Sequence, residues 1–250
     1  MHRSFRRVSC LIAGAVAVSV AGAASAGTTA VSDARRLTLQ NVGAENTEYR
    51  DRRALRLIVS PEAEAADIDA TFAVLPYPPI RDFVIEADVA GMPVSAETTA
   101  RGFVGIAFHI AEDRSSFEAI YLRPTNGRAE DQVRRNRAIQ YISHPDYPWH
   151  RLRTEDPGQF ESYVDLEPGR WTRMKIVVEG ARASLFVNGA KQPNLIVSNL
   201  KLGERSGRVG LWVGPGSIAH FSNVVIKPIP ARSKPHELTK DSEPTSATAR

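Results

Sequence analysis

The chain has 250 residues, of which 32 are Lys or Arg and 28 are Asp or Glu, so its formal net charge at pH 7 is +4. Three of the arginines and no acid lie in residues 1–26, which leaves 29 basic and 28 acidic residues, a net +1, in the rest. This near-neutral balance does not indicate a nucleic-acid partner. A single cysteine, Cys10, excludes an internal disulfide framework.

The first 26 residues have the pattern of a secretory signal peptide. Three arginines lie within the first seven residues, residues 11–20 are apolar, and Ala24-Ser25-Ala26 matches an A-x-A cleavage site. Because Cys10 precedes the apolar run, it does not match a lipoprotein anchor. We therefore expect export to the periplasm or the extracellular medium, and no later stretch is apolar enough to span a membrane.

The remaining sequence predicts one domain and a tail. Residues 27–227 have the size and turn-rich composition of a single all-β domain. Residues 228–250 are rich in Pro, Ser, Thr and charged residues, which is typical of a disordered tail. The sequence gives no indication of the oligomeric state.

Strand patterns separated by turn signals run through residues 53–166, and helical periodicity is nearly absent, with one turn of helix at most over residues 62–66. The segment 69–74 is expected to pair near 53–59. The predicted strands are residues 53–59, 69–74, 82–90, 102–111, 117–123, 138–143 and 160–166. The inward positions are predicted at Phe83, Ile85, Ala87 and Val89, and at Val104, Ile106, Phe108 and Ile110, with His109 on the opposite face.

The stretch from Trp171 to Ile226 adds four strands, for a total of about eleven. Met174, Ile176 and Val178 point to one face of the first of them, and Asn188-Gly189 predicts a two-residue hairpin turn. This number of short strands predicts an all-β, two-sheet antiparallel β-sandwich.

The order of motifs in this stretch resembles a known fold family. W-x-x-M-K-I-x-V-x-G, L-F-V-N-G, G-x-V-G-L-W-x-G and F-x-N-x-x-I, within residues 171–226, are similar to the C-terminal half of concanavalin A-like jelly rolls, in particular laminin-G-like and 3-keto-disaccharide hydrolase domains. The resemblance implies the jelly-roll fold. It leaves activity open, because this fold hosts lectins, hydrolases and adhesion modules.

The first functional hypothesis is a glycan-binding module that uses a concave sheet face and the loops between Tyr121 and Arg153. Aromatic rings stack on the C–H faces of sugars, and planar polar side chains bind their hydroxyl groups. The residues predicted to stack or to hydrogen-bond are Tyr121, Arg123, Asn126, Gln140, Tyr141, His144 and Trp149. A carbohydrate is thus the expected partner.

The second hypothesis is a glycoside hydrolase, which requires two carboxylates across the scissile bond. Some enzymes with this jelly roll carry E-x-D-x-x-E on one strand, but here Glu86 and Asp88 are followed by Gly91 in the third position. The resemblance to 3-keto-disaccharide hydrolase domains implies that Glu118 and His109 would be catalytic. Glu118, Ile120 and Leu122 share one strand face, and the sequence leaves open whether that face is the concave one. A third hypothesis, also implied by resemblance, is a laminin-G-like protein-binding module.

An arginine-rich connection could instead serve an anionic partner. Guanidinium groups suit carboxylate, sulfate or phosphate recognition, but Glu130 and Asp131 lie in the same connection and could neutralise it. The sequence leaves an acidic-glycan site and a self-paired loop as alternatives. The arginines are Arg123, Arg128, Arg134, Arg135 and Arg137.

No cofactor is expected from the sequence. His144, Asp146 and His150 are close together, but their spacing does not match a zinc site. Calcium is common in the lectin-like relatives that the chain resembles, although no run of carboxylates indicates a calcium loop here.

Overall fold

The computed structural model describes residues 29–31, 33–66, 68–96 and 99–230. The predicted signal peptide and most of the predicted tail lie outside these ranges. Within them, no helix is both long and apolar enough to cross a membrane. The described residues form two antiparallel sheets that pack face to face, as the strand pattern predicted.

The first sheet has eight strands in the order β13-β12-β11-β6-β15-β4-β3, with β1 paired to β15. Its strands are β1 (Thr29–Val31), β3 (Val42–Tyr49), β4 (Arg52–Val59), β6 (Phe83–Pro93), β11 (Thr172–Glu179), β12 (Arg182–Val187), β13 (Leu195–Val197) and β15 (Ser217–Pro228).

The second sheet has seven strands in the order β10-β9-β8-β7-β14-β5-β2. Its strands are β2 (Thr38–Gln40), β5 (Phe72–Val74), β7 (Val104–Ile110), β8 (Phe117–Leu122), β9 (Ile139–His144), β10 (Glu161–Ser162) and β14 (Arg208–Val213). Short helices connect the strands: α1 (Pro61–Ala65), α2 (Gln132–Arg135), α3 (Trp149–Glu155), and the 3-10 turns Ala34–Arg36 and Pro124–Asn126.

The alternation of apolar residues places the core between the sheets. Met174, Ile176 and Val178 on β11 are at most 1% exposed, and Phe83 and Ile85 on the neighbouring β6 are equally buried. They pack in one cluster with apolar residues of the seven-stranded sheet. The predicted inward faces of β6 and β11 are therefore confirmed.

Two local predictions are wrong. Asn188 and Gly189 do have positive φ, but β13 begins only at Leu195, so they form a turn within a longer connection. Within this stretch, Gly180-Ala181 forms a two-residue hairpin turn, because it joins the paired residues Glu179 and Arg182. In addition, β5 pairs with β14 and β2, not with β4, because these strands belong to different sheets.

The outer faces of the two sheets differ. On the eight-stranded sheet, outward residues such as Arg173 and Lys175 alternate with buried ones and reach solvent. On the seven-stranded sheet, β7 and β8 are buried on both faces. An aromatic layer covers its outer face, and four of its members are at most 3% exposed: Phe72, Phe117, Tyr121 and Trp212.

His220 predicts an acid-dependent loss of stability. It is 4% exposed, stacks on Tyr49 with centroids 3.9 Å apart, and its Nδ1 has no partner among the described residues. Burial, and secondarily the charge of Arg56, lowers the pKa of His220 to about 4. The pKa of His220 in the folded state is therefore below its unfolded value near 6.5. Between pH 4 and pH 6.5 the unfolded state binds more protons than the folded state, so the stability that is present above about pH 6.5 is lost as the pH falls towards 4.

We expect this loss to be about 1 to 3 kcal/mol, since one pKa unit corresponds to about 1.4 kcal/mol. Urea unfolding at pH 7 and pH 4.5 measures it. The His220→Gln variant should show a smaller difference between the two pH values than the wild type. Equal differences would assign the acid sensitivity to other groups.

Candidate functional site

A cleft of about 270 Å³ opens on the outer face of the seven-stranded sheet. Ile142 of β9 forms its floor, Ile68 and Asp69 form one wall, and the connection after His144 forms the other. The His144 ring stacks on Phe117 of the aromatic layer, with centroids 5.0 Å apart and planes 17° from parallel. The cleft therefore combines an apolar base with polar groups at its edge.

The Asp69 wall is fixed by hydrogen bonds from the sheet. The indole Nε1 of Trp212 donates to the carbonyl of Asp69 at 3.0 Å, and the amide of Asn41 donates to the carbonyl of Ala70 at 2.9 Å. The hydroxyl of Thr71 donates to the carbonyl of Val213 at 2.6 Å. The segment before β5 is thus held over the aromatic layer.

The cleft brings together one carboxylate and one imidazole. Burial lowers the pKa of His144, and the negative charges of Asp69 and Asp146 only partly oppose this. His144 is therefore neutral near pH 7 and offers one donor and one acceptor nitrogen. With the acceptor oxygens of Asp69, this is a set of groups suited to hydroxyl ligands.

An exposed indole lies at the end of the cleft. Pro148 lines the cleft and Trp149 follows it as the first residue of α3. Trp149 is 40% exposed, with the Arg153 guanidinium 4.5 Å and the Arg123 guanidinium 6.0 Å from its ring centroid. Trp149 and Arg153 lie four positions apart on a helix, which places them on the same face. These cation–π contacts hold the ring in place.

Glu161 of β10 anchors the arginines beside this indole. It forms ion pairs with Arg123 at 3.2 Å, with Arg137 at 3.6 Å, and with Arg153. Arg123 also donates to the hydroxyl of Tyr121 at 3.1 Å. We call these four residues, Glu161 with Arg123, Arg137 and Arg153, the Glu161 cluster.

The structure separates the predicted sugar-binding residues into two groups. Trp149 and His144 lie at the surface, whereas five others are at most 6% exposed: Tyr121, Arg123, Asn126, Gln140 and Tyr141. Tyr141 faces the core and Tyr121 belongs to the aromatic layer, so neither ring is exposed for stacking. The amides of Asn126 and Gln140 donate to the main-chain carbonyls of Arg137 (3.0 Å) and Tyr141 (2.7 Å), which is a structural role.

Glu118 and His109 are brought together, but between the sheets. His109 Nδ1 lies 2.6 Å from Glu118 Oε2, and both side chains are 0% exposed. The strand face that Glu118 shares with Ile120 and Leu122, which the sequence left unassigned, therefore packs in the core. His109 was expected opposite the core, yet its positive φ of 51° and a bulge in the pairing with β14 reverse the alternation at this point. Ile110 consequently packs in the outer aromatic layer.

The arginine-rich connection is only partly self-paired. Arg128 pairs with Asp165 at 2.7 Å and Glu167 at 2.6 Å, and Arg135 donates to the carbonyl of Ala129. The acid Asp131 instead caps α2 by accepting from the backbone N–H of Arg134. In the ranges that the structure describes, no group of three His, Cys, Asp or Glu side chains could hold a metal ion.

Two residues of the site, Asp69 and Glu161, were not predicted as binding residues. Asp69 precedes the short strand β5 and Glu161 begins the short strand β10, and neither strand carries a functional motif. Only the pairing of β5 with β14 and of β10 with β9 brings them to the cleft and to the arginines. The excess of arginines near Trp149 was the one signal in the sequence that an acidic residue distant in sequence would form ion pairs with them.

Comparisons with known proteins identify the fold. No family model and no curated protein matches the chain. Its structure is similar to the carbohydrate-binding module CBM66 from Bacillus subtilis, with a TM-score of 0.51 and 12% identity over 77% of this chain and 95% of that one. It is also similar to the cellulose-induced protein Cip1, with a TM-score of 0.52 and 11% identity over 78% of this chain and 92% of that one. The chain therefore has a jelly-roll β-sandwich fold of the kind found in a carbohydrate-binding module.

Proposed function

We propose that the protein is an exported glycan-binding module whose ligand lies along the cleft and against Trp149. The observation that carries the proposal is the exposed indole, which two guanidinium groups hold and which directly follows Pro148 of the cleft. A rigid aromatic ring offers contact area at a low cost in conformational entropy, and it stacks on a sugar ring without a charged partner. The likeness to a module that is named for carbohydrate binding supports this reading.

Polar groups in the cleft and beside the indole match the needs of a sugar. Neutral His144 in the cleft offers one donor and one acceptor nitrogen to hydroxyl groups. Outer N–H groups of Arg153, whose side chain is 23% exposed, add directional donors next to the ring. Binding energy would then come from the ring, and selectivity from the hydrogen bonds.

The structure favours binding over hydrolysis. A glycosidase needs two carboxyl groups that reach the scissile bond, and Glu118 has no exposed surface. A protein-binding role would be favoured by a contiguous apolar patch. The exposed apolar residues outside the site instead lie on separate elements, for example Leu39 on β2 and Ile196 on β13.

The Trp149→Ala variant is expected to lose glycan binding. Removal of a central aromatic contact typically costs 2 kcal/mol or more, which corresponds to about a 30-fold weaker affinity. Affinity electrophoresis of the chain without its predicted signal peptide, in gels that contain neutral or acidic polysaccharides, measures the effect. Because the ring is 40% exposed, we expect a small change in Tm.

The matched control is Ile196→Ala, which removes a side chain of similar exposure (42%) from the other sheet. It should migrate like the wild type in every gel. The proposal would be overturned if the gels retard Trp149→Ala as strongly as the wild type. It would also be overturned if no polysaccharide retards the wild type.

A further inference from the structure

Two arginines near the Glu161 cluster form no ion pair with a carboxylate in the part of the chain that the structure describes. The guanidinium of Arg134 donates to neutral acceptors, Asn126 Oδ1 at 3.1 Å and Thr125 Oγ1 at 3.4 Å. Arg101 lies against the same turn, since its carbonyl accepts from the backbone N–H of Thr125 at 3.2 Å. Within the described ranges, neither guanidinium forms an ion pair with a carboxylate.

Among the described residues, the nearby acids form no ion pair with Arg101 or Arg134. Glu161 shares its two oxygens among three arginines of its cluster. The carboxylate of Asp131 accepts from the backbone N–H of Arg134 and is exposed, as is Glu130. Glu161 thus serves three guanidinium groups and, among the described residues, forms no ion pair with Arg101 or Arg134.

The arginines also repel one another. The pKa of Arg101 is lowered, first by burial and then by the positive charges of Arg134 and Arg123. A protein keeps partly buried like charges together at a cost in stability, and that cost is removed when an anion binds between them. Arg123 reaches the ring of Trp149, so this surplus of charge adjoins the site proposed above.

We propose that Arg101 and Arg134 bind an anionic group of the glycan, a carboxylate or a sulfate ester, while Trp149 stacks on its sugar ring. The inference rests on the proposed function and adds the class of ligand. Guanidinium groups present paired N–H donors that match the oxygens of both anions. An acidic polysaccharide is therefore the expected ligand, in preference to a neutral one.

The experiment compares acidic polymers with their neutral counterparts. Gels contain polygalacturonate, alginate or hyaluronan, each with its carboxyl-reduced form, or dextran sulfate with dextran. We expect one acidic polymer to retard the wild-type chain at least 10-fold more strongly than its neutral counterpart. Retardation by a carboxylated polymer or by dextran sulfate tells which anion is bound.

Variants test the two arginines. Arg101→Gln and Arg134→Gln should each weaken binding to the acidic polymer by about 10-fold or more, since a charge-assisted hydrogen bond contributes about 1.5 to 3 kcal/mol. The control is Arg128→Gln, which changes the net charge equally but removes an arginine paired with Asp165 and Glu167. Its affinity for the acidic polymer should stay within about twofold of the wild-type value. The Tm of Arg101→Gln should not fall, because the substitution relieves repulsion.

The outcomes separate this inference from the proposed function. One outcome is that charged and neutral polymers retain the wild type equally, and that binding is lost in Trp149→Ala but not in Arg101→Gln or Arg134→Gln. This outcome would overturn the anionic ligand and leave the glycan site. Equal weakening by Arg128→Gln would show that only net charge matters and would also overturn it. Retention by no polymer at all would overturn both.

Discussion

Glu118→Ala is expected to lower the free energy of unfolding by about 3 to 5 kcal/mol, because each buried polar group left without its partner costs about 1 to 3 kcal/mol. Glu118 is 0% exposed. Its Oε2 lies 2.6 Å from His109 Nδ1, and its Oε1 accepts from the hydroxyl of Tyr141 and from the backbone N–H of Leu202 at 3.2 Å. Removal of this carboxylate takes away the partner of His109 Nδ1, of the buried Tyr141 hydroxyl and of the partly buried N–H of Leu202.

The network also ties a connection to the sheet. The backbone N–H of Lys201 donates to the hydroxyl of Tyr141 at 2.9 Å, so Lys201 and Leu202 are both held through Tyr141 and Glu118. Burial, together with the charge of Glu118, raises the pKa of Tyr141, which keeps its hydroxyl protonated as a donor. Loss of Glu118 should therefore loosen the connection between β13 and β14 as well.

Thermal or urea unfolding measures the effect, with Glu86→Ala as the matched control. Glu86 is also a paired carboxylate on a strand, but it lies on the solvated face with Arg173 at 2.6 Å and Lys227 at 3.2 Å. Its removal should cost no more than about 1 kcal/mol, as for other surface pairs. Similar unfolding midpoints for the two variants would contradict a structural role for Glu118.

Glu118→Gln distinguishes this role from the catalytic one that the family resemblance implied. A catalytic carboxylate would lose turnover on amidation while the Tm held. We expect the reverse, a lower Tm, because the amide cannot accept from all three donors that the carboxylate satisfies. The Tm of this variant therefore tests the structural role of Glu118 without knowledge of a substrate.

The sequence predicted the regular parts of the sandwich well, for a physical reason. On β6 and β11 one face meets the core and the other meets water, so Phe83 and Ile176 alternate with charged residues. Along β7 the pattern fails at His109, where a backbone bulge and a positive φ shift the faces by one residue. Nothing in the residue types around His109 announces the bulge, because it depends on the pairing with β14.

The candidate site was predictable only at its exposed residues. Trp149 and His144 stood out because large aromatic and titratable side chains in a long connection are often functional. The burial of Tyr121 depends on the segment around Asp69, which folds over the outer face of a sheet about fifty residues away in sequence. Burial of a sheet face by a segment distant in sequence is a property of the tertiary fold, and local sequence patterns do not predict it.

Gly105→Ala is expected to destabilise the protein by about 3 kcal/mol, at the upper end of the usual cost of overpacking. Gly105 lies on β7 directly between Trp212 of β14 and Tyr121 of β8. The two rings meet over it with centroids 4.6 Å apart. An added Cβ would lie 2.4 Å from Tyr121 Cβ and 2.5 Å from the carbonyl oxygen of Ile120, so the backbone of β8 itself would have to move.

This substitution links the fold to the site. Trp212 holds the Asp69 wall of the cleft and Tyr121 accepts a hydrogen bond from Arg123, so displacement of β8 should weaken glycan binding together with stability. For a domain of this size about 3 kcal/mol corresponds to a fall in Tm of roughly 6 to 12 °C.

Gly43→Ala is the matched control, because it is also a strand glycine but its added Cβ would meet only Ile58, at an ordinary 3.7 Å. Alanine there should keep or slightly raise the Tm, since it restricts the unfolded chain. Equal Tm values for the two variants would show that the backbone of β8 moves to accommodate the added Cβ at little cost in stability. The glycine between Trp212 and Tyr121 would then not be what sets the spacing of the aromatic layer.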